Sequence, residues 1–148
     1  MKGSYCLIIN LSNDDEIKVG RLYDNLKLKK GYYVYIGSAM NSLLPRLKRH
    51  LSNNKKMHWH IDYLLKSKYA NIIEILFTDS KKRIECDLAD NISPKGHGIL
   101  DFGCSDCNCN SHLIYFNKKE DAIKSVKDAY DYLKTEYMNL NDFKKLNK

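Results

Sequence analysis

The chain has 148 residues, of which 43% are hydrophobic and 29% are charged, and its net charge is +7. This length and balance predict one globular domain, and no apolar run approaches the ~20 residues needed to cross a bilayer, which excludes a membrane-spanning protein. We therefore expect a soluble, cytoplasmic protein with reduced cysteines, whose positive charge favours a polyanionic partner.

The first part of the chain is predicted to consist mainly of strands. Residues 4–11 are almost continuously apolar, which indicates a buried, central strand. A turn follows, then a short partner strand over 16–22 and a basic loop over 24–31. Residues 32–36 are aromatic and β-branched and predict another buried strand. The spacing of these strands predicts an antiparallel pairing.

A helix is predicted over residues 41–51, with Asn41 or Ser42 as its cap. The later elements are a helix over 59–66, a strand over 71–78, a helix over 80–91, a Gly- and Cys-rich loop over 92–111, a strand over 112–116 and a long helix opened by the capping box Asn117-x-x-Glu120. The order predicts an α+β fold with a small, mainly antiparallel sheet flanked by helices. We expect a single domain over residues 1–138 and a frayed polar tail over 139–148.

The positive charge is concentrated in the first half of the chain. Residues 1–70 hold 13 Lys and Arg against 5 Asp and Glu, whereas residues 71–148 hold 12 against 13. The densest part, 46–56, has no carboxylate. It is either a solvated basic face or a phosphate-binding surface. The candidate nucleic-acid contacts are Lys48, Arg49, Lys55 and Lys56.

Several candidate site residues occur in a recognisable order along the chain. Gly-Ser-Tyr at 3–5 opens one strand, and Tyr-Ile-Gly at 35–37 closes another. Arg46 and His50 follow on one helix face, and Glu85 lies on a later predicted helix. Singly these are weak signals, because a strand tyrosine is usually a core residue. In this order they resemble the GIY-YIG nuclease superfamily, and most closely its DUF123 or Uri-type branch.

The resemblance to the DUF123 branch runs from residue 3 to about residue 116. Five longer blocks carry it: 32–39, 46–51, 56–65, 85–89 and 103–113. The chain departs from most of the superfamily by placing its two tyrosine motifs 30 residues apart. The resemblance implies that the insertion, about 13–31, adds a strand and a basic loop to the domain.

The resemblance also implies a metal-dependent endonuclease that hydrolyses phosphodiester bonds, with DNA favoured over RNA and a role in repair. Tyr5 and Tyr35 match the motif tyrosines, one of which helps to activate water. Arg46 would stabilise phosphoryl oxygens, and His50 would move a proton or bind phosphate. Glu85 matches the metal-binding glutamate, and a single carboxylate suits one Mg²⁺ or Mn²⁺ ion.

Two further clusters leave alternatives open. His58 and His60, around Trp59, either cap and pack a helix or contribute to the site. Cys104, Cys107, Cys109 and His112 are candidate zinc ligands, although four ligands within nine residues strain a tetrahedron. Alternatively this segment is a tight loop from which Asp106 or His112 reaches the active site. The rival functions are a non-cleaving nucleic-acid-binding module and a zinc-stabilised interaction domain.

Overall fold

The structure is a computed structural model that describes residues 1–20, 23–99, 102 and 111–147. It confirms the α+β fold class. The strands within these residues are β1 (Gly3–Leu11), β2 (Asp15–Val19), β3 (Tyr23–Leu28), β4 (Gly31–Ala39), β5 (Ala70–Thr78), β6 (His97–Gly98) and β7 (Leu113–Phe116). The helices are α1 (Leu43–Leu51), α2 (His60–Leu65), α3 (Glu85–Ile92), α4 (Lys119–Tyr132) and α5 (Leu140–Leu146).

The main sheet has five antiparallel strands in the order β5-β1-β4-β7-β6. The predicted central position of β1 is confirmed, since it lies between β4 and β5. The predicted antiparallel pairing of β1 with β4 is also confirmed, and its register places Tyr5 opposite Gly37 and Leu7 opposite Tyr35. The two tyrosine motifs are therefore neighbours in space although the insertion separates them along the chain.

Both faces of the sheet are covered, because successive side chains of β1 point to opposite sides. Tyr5, Leu7 and Ile9 belong to one core, which contains the buried leucines of α1 and α2 and Phe143 of α5. Cys6 and Ile8 belong to the other core, against α3 and α4. This explains the nearly continuous apolar run of β1: a central strand covered on both faces has no solvent side.

The insertion forms a hairpin of its own. The prediction of a basic loop over 24–31 is wrong, because β3 pairs with β2 as a separate two-stranded sheet. Ile17 and Leu28 are buried against the core of the α1 face. The lysines of this segment alternate with leucines, which gives the strand one polar and one apolar side.

Two helix starts differ from the prediction. Helix α3 begins at Glu85, whereas residues 80–84 are not helical. Helix α4 begins at Lys119 after Lys118, with no side-chain cap bond, so the capping box predicted at Asn117 is wrong. Likewise Ser42 precedes α1 without a side-chain cap bond.

The last residues also differ from the predicted frayed tail. Asn139 and Asp142 form a reciprocal capping box that opens α5. Phe143 of this helix is buried and packs edge-on against Phe77 at a centroid distance of 6.4 Å. Phe143, the backbone bridge between Met138 and Phe77, and the hydrogen bond from the Leu140 N–H to Glu74 Oε1 together dock this segment onto β5.

No helix among the described residues is long and apolar enough to cross a membrane. Cys6 is a free, fully buried thiol whose pKa is raised by burial to about 12. Cys86 is disulfide-bonded, so the expectation that every cysteine is reduced is wrong for this residue.

Candidate active site

Tyr5 and His50 form a buried hydrogen-bonded pair. The Tyr5 hydroxyl and His50 Nε2 are 2.8 Å apart, and the side chains of both residues are almost fully buried. Burial, assisted by the charge of Lys55, lowers the pKa of His50 to about 3. The imidazole is therefore neutral at pH 7. Its Nδ1 is buried and has no hydrogen-bond partner among the described residues.

The phenol of Tyr5 is also neutral at physiological pH. Burial raises its pKa well above the usual value, and Tyr35 and Glu85 raise it further. The charge of Arg46 and its hydrogen bond to the phenol oppose this shift. A lasting phenolate at Tyr5 is consequently disfavoured in the free protein.

Tyr35 completes an aromatic cluster with this pair. Its ring centroid lies 6.4 Å from that of Tyr5 and 6.2 Å from that of His50. Tyr35 is only partly buried, so the cluster reaches solvent through this residue. The three rings come from β1, β4 and α1, and they meet because α1 packs across the β1–β4 pair.

Close packing explains both motif glycines. A Cβ on Gly37 would lie 2.6 Å from the Tyr5 hydroxyl oxygen, so only glycine lets the Tyr5 ring cross β4 at this point. A Cβ on Gly3 would overlap the carbonyl oxygen of Thr78 on the neighbouring strand β5. Position 37 therefore requires glycine because the Tyr5 ring lies against it, and position 3 requires glycine because the backbone of β5 lies against it.

Ser38 connects Arg46 to Glu85. Arg46 Nη1 donates a hydrogen bond to the Ser38 carbonyl, and Ser38 Oγ donates to Glu85 Oε1 at 2.8 Å. Arg46 comes from the α1 face of the sheet and Glu85 from the α3 face. The end of β4 thus holds the cation and the carboxylate on either side of one residue.

Ser4 fixes the start of α3, which positions Glu85. Its Oγ accepts a hydrogen bond from the backbone N–H of Ile84 at 3.3 Å. The Ser4 hydroxyl thereby ties the helix that carries Glu85 to β1. No pattern in the sequence indicates this contact.

The Glu85 carboxylate has basic neighbours. Arg83 donates to its Oε1 from Nε at 2.7 Å and approaches it with Nη2 at 2.6 Å. His112 Nδ1 lies 3.7 Å from Oε2, and burial lowers the pKa of His112 although Glu85 opposes that shift. No group of three or more His, Cys, Asp and Glu side chains that could hold a metal occurs among the described residues.

The segment around Trp59 supports α1. The guanidinium carbons of Arg46 and Arg49 lie 4.7 and 4.5 Å from the centre of the Trp59 ring. The fully buried Asp62 accepts two hydrogen bonds from Arg49 at 2.9 Å and two from the backbone N–H groups of 58 and 59. Trp59 therefore packs against Arg46, the arginine next to the Tyr5 cluster.

The two histidines of that segment lie outside the Tyr5 cluster. His58 packs edge-on against Trp59 at 4.7 Å, and His60 packs against Phe102 at 6.0 Å. Both contacts match the packing alternative of the sequence analysis.

The four predicted nucleic-acid contacts divide into two pairs. Lys48 and Lys56 are exposed. Arg49 is bound to Asp62, and Lys55 Nζ donates to the carbonyls of Arg49 and His50 at 3.2 and 2.8 Å. Arg49 and Lys55 therefore already make contacts within the protein at the C-terminal end of α1, which compete with any contact to a nucleic acid.

The predicted zinc ligands Cys104, Cys107 and Cys109, together with Asp106, lie outside the described residues. Of the predicted zinc ligands, His112 lies within the described residues, next to Glu85. Sequence reasoning missed Ser38 and Arg83. Their only signals were their positions, directly after the Tyr-Ile-Gly motif and two residues before Glu85.

Comparison with known families gives one match. The model of the family described as "Domain of unknown function DUF123" matches residues 4–135. No curated protein and no solved structure matches the chain. The matched range contains every residue of the Tyr5 cluster and its connection to Glu85.

Proposed function

We propose that this chain, which belongs to the DUF123 family, is a metal-dependent endonuclease of the GIY-YIG type that hydrolyses phosphodiester bonds in DNA. The observation that carries the proposal is the buried hydrogen bond between Tyr5 and His50, next to Tyr35 and linked through Arg46 and Ser38 to Glu85. A core tyrosine rarely has a neutral imidazole as its partner and a cation and a carboxylate within electrostatic reach.

The protonation states support a proton relay through Tyr5. His50 is neutral, so its Nε2 accepts the phenol proton when Nδ1 carries the ring hydrogen. As water attacks phosphorus, its proton passes to the Tyr5 oxygen while the Tyr5 proton passes to His50 Nε2. The phenol stays neutral throughout, which agrees with its raised pKa. Burial lowers the pKa of His50 to about 3 in the free protein, which disfavours the imidazolium that results, so the relay requires the negative substrate to raise that pKa.

The anchoring of Arg46 supports its proposed role in stabilising charge on the phosphate. One of its nitrogens is held by the Ser38 carbonyl, and its guanidinium packs on Trp59. Such anchoring restricts the side chain before substrate binds, which limits the entropy lost on binding. Its fixed positive charge would stabilise the oxygens that gain charge in the transition state.

The residues around Glu85 fit one hard divalent ion. Glu85 offers a carboxylate, with the neutral His112 imidazole 3.7 Å from Oε2. One or two protein ligands completed by water and substrate oxygens suit Mg²⁺ or Mn²⁺. The bound ion would supply Lewis-acid stabilisation of the phosphate and the leaving oxygen. Arg83, half-exposed, would have to leave Oε1 when the ion binds.

Cleavage of plasmid and labelled DNA by purified protein with Mg²⁺ or Mn²⁺ tests the proposal. Tyr5→Phe should reduce the rate by about 10²–10⁴-fold because it removes the relay oxygen. Glu85→Gln should abolish metal-dependent cutting. Tyr132→Phe, on an exposed tyrosine of α4, is the matched control and should cut normally. Unchanged cutting by Glu85→Gln would overturn the metal assignment.

A non-cleaving nucleic-acid-binding module is the second candidate. The ion pair of Arg83 with Glu85 favours it, because the carboxylate that would hold the metal already has a cation. Binding of DNA without cutting under any divalent ion would support this alternative. Cutting that requires Glu85 would exclude it.

A further inference from the structure

A cavity of about 730 Å³ lies between the inserted hairpin and the β6–β7 edge of the main sheet. Its inner wall includes the aromatic side chains of Tyr33, Tyr115 and Phe116. Among the described residues, its lining carries Lys27, Lys29 and Lys95 against one carboxylate, that of Asp121. The proposed catalytic steps use none of these residues.

The rim on the hairpin side is held in place by hydrogen bonds. Tyr33 donates its hydroxyl to the Lys29 carbonyl at 2.7 Å, and Tyr115 donates to the Lys30 carbonyl at 3.0 Å. Asp14 accepts the backbone N–H of Lys30 at 2.7 Å. Lys27 and Lys29 therefore extend from a fixed backbone, although their side chains are exposed.

Tyr115 offers a fixed aromatic surface. Its ring is partly exposed, and Tyr33 packs against it edge-on at a centroid distance of 5.2 Å. Gly31, with φ of +148°, passes so close that a Cβ there would lie 2.6 Å from the ring. An aromatic ring that cannot turn away, next to exposed lysines, suits a ligand with a flat base and a phosphate.

The cavity lies at the edge of the sheet, and its wall at Tyr33 is on the same face as the Tyr5 cluster, whereas Phe116 belongs to the core of the other face. Tyr33 belongs to the core that contains Tyr5, and Tyr35 follows two residues along β4. Two residues span about 7 Å of strand. A nucleic-acid strand crossing the cluster would therefore also pass the cavity.

We propose that this cavity binds one nucleotide of an unpaired DNA strand, with the phosphate on Lys27 and Lys29 and the base against Tyr115. The proposal rests on the proposed function for the path of the strand. A base inside a duplex presents only its edges, whereas an unpaired base can leave its neighbours and stack on a side chain. A free mononucleotide has the same chemistry, so the experiment compares the two sources.

The test is fluorescence anisotropy in EDTA, so that binding is measured without cleavage. The probes are a labelled single-stranded oligodeoxythymidine, a duplex of the same length, and unlabelled dTMP as competitor. The single strand should bind more tightly than the duplex, and dTMP should compete weakly. Lys27→Ala/Lys29→Ala should lower the slope of log affinity against log salt by about 0.7, the value for one lost phosphate contact on a single strand.

Lys144→Ala/Lys145→Ala is the matched control, because these two lysines are exposed on α5 and line no part of the cavity. It should leave the slope unchanged, whereas Tyr115→Leu should weaken single-strand binding by about tenfold. An unchanged slope in the Lys27/Lys29 variant, or an equal loss for strand and duplex, would overturn the proposal. Equal affinity for dTMP and the oligonucleotide would overturn the strand as the ligand.

Failure of the proposed function gives a different result. Tyr5→Phe and Glu85→Gln should lose cutting but keep the effect of the Lys27/Lys29 change on the salt slope in EDTA, since neither residue lines the cavity. A protein that binds the strand but never cuts would refute the nuclease and keep the nucleotide site. A protein that cuts DNA but shows no effect of the Lys27/Lys29 change would support the nuclease and refute the nucleotide site.

Discussion

Gly37 lies so close to the Tyr5 phenol that a Cβ at position 37 would be 2.6 Å from its oxygen. Two motifs that stand 30 residues apart in the chain therefore form one contact, in which β4 leaves room for a side chain of β1. The hydrogen bond from the Tyr5 phenol to His50 also depends on the absence of a side chain at position 37.

Gly37→Ala should therefore displace the Tyr5 ring and lengthen its hydrogen bond to His50. We expect cleavage to fall by about 10²-fold, since proton transfer by a positioned group contributes at least that much. Steady-state cleavage rates and the free energy of unfolding should be measured together. Gly98→Ala is the control, because a Cβ there meets only a Ser111 side-chain carbon at 3.2 Å. Normal cutting by Gly37→Ala would contradict the tight packing.

His50 should make stability depend on pH. Its pKa is about 3 in the folded protein, below the 6.5 of a free histidine, because the site is buried. Between these values only the unfolded chain takes up the proton, so the neutral imidazole's contribution is complete above pH 6.5 and is lost as the pH falls toward 3. The loss approaches ~1.4 kcal/mol per pH unit.

Urea unfolding at pH 7 and pH 5 measures this effect. The free energy of unfolding of the wild type should fall more than that of His50→Gln, which has no proton to gain at this position. Comparing the two proteins cancels the titration of other groups, including His112. Parallel decreases would mean that His50 is accessible to protons in the folded state.

Trp59 is expected to act by positioning Arg46. Cation–π contacts of this kind contribute ~0.5–2 kcal/mol, which corresponds to a rate change of about 2- to 30-fold. Trp59→Leu should lower kcat by that factor with little change in KM, and Trp59→Phe should restore part of it. A purely structural role would instead reduce stability equally in both variants without separating kcat from KM.

The parts of the fold that the sequence predicted are those in which local pattern and burial agree. Strand β1 is apolar on both faces because helices cover both faces. The hairpin strand β3 was missed because Lys27 and Lys29 concealed the alternation that buries Leu28. Helix α5 was missed because Phe143 is its only buried residue.

The candidate site shows a similar division. The order of Tyr5, Tyr35, Arg46, His50 and Glu85 was visible in the sequence. The contacts that join them were not, because Arg46 binds a backbone carbonyl, which every residue has. The role of Ser38 follows only from the meeting of two helices at the end of β4.

Arg83 provides the sharpest test of the metal hypothesis. Its half-exposed ion pair with Glu85 is worth about 0–1 kcal/mol, so a bound ion need displace only a weak contact. Arg83→Gln should lower the Mg²⁺ concentration for half-maximal cutting, by up to about fivefold, because the ion no longer competes with a guanidinium. Lys82→Gln removes an equal charge from the adjacent exposed position and should change this Mg²⁺ concentration less. A raised Mg²⁺ requirement in Arg83→Gln would contradict competition at Glu85 and assign Arg83 to the substrate phosphate.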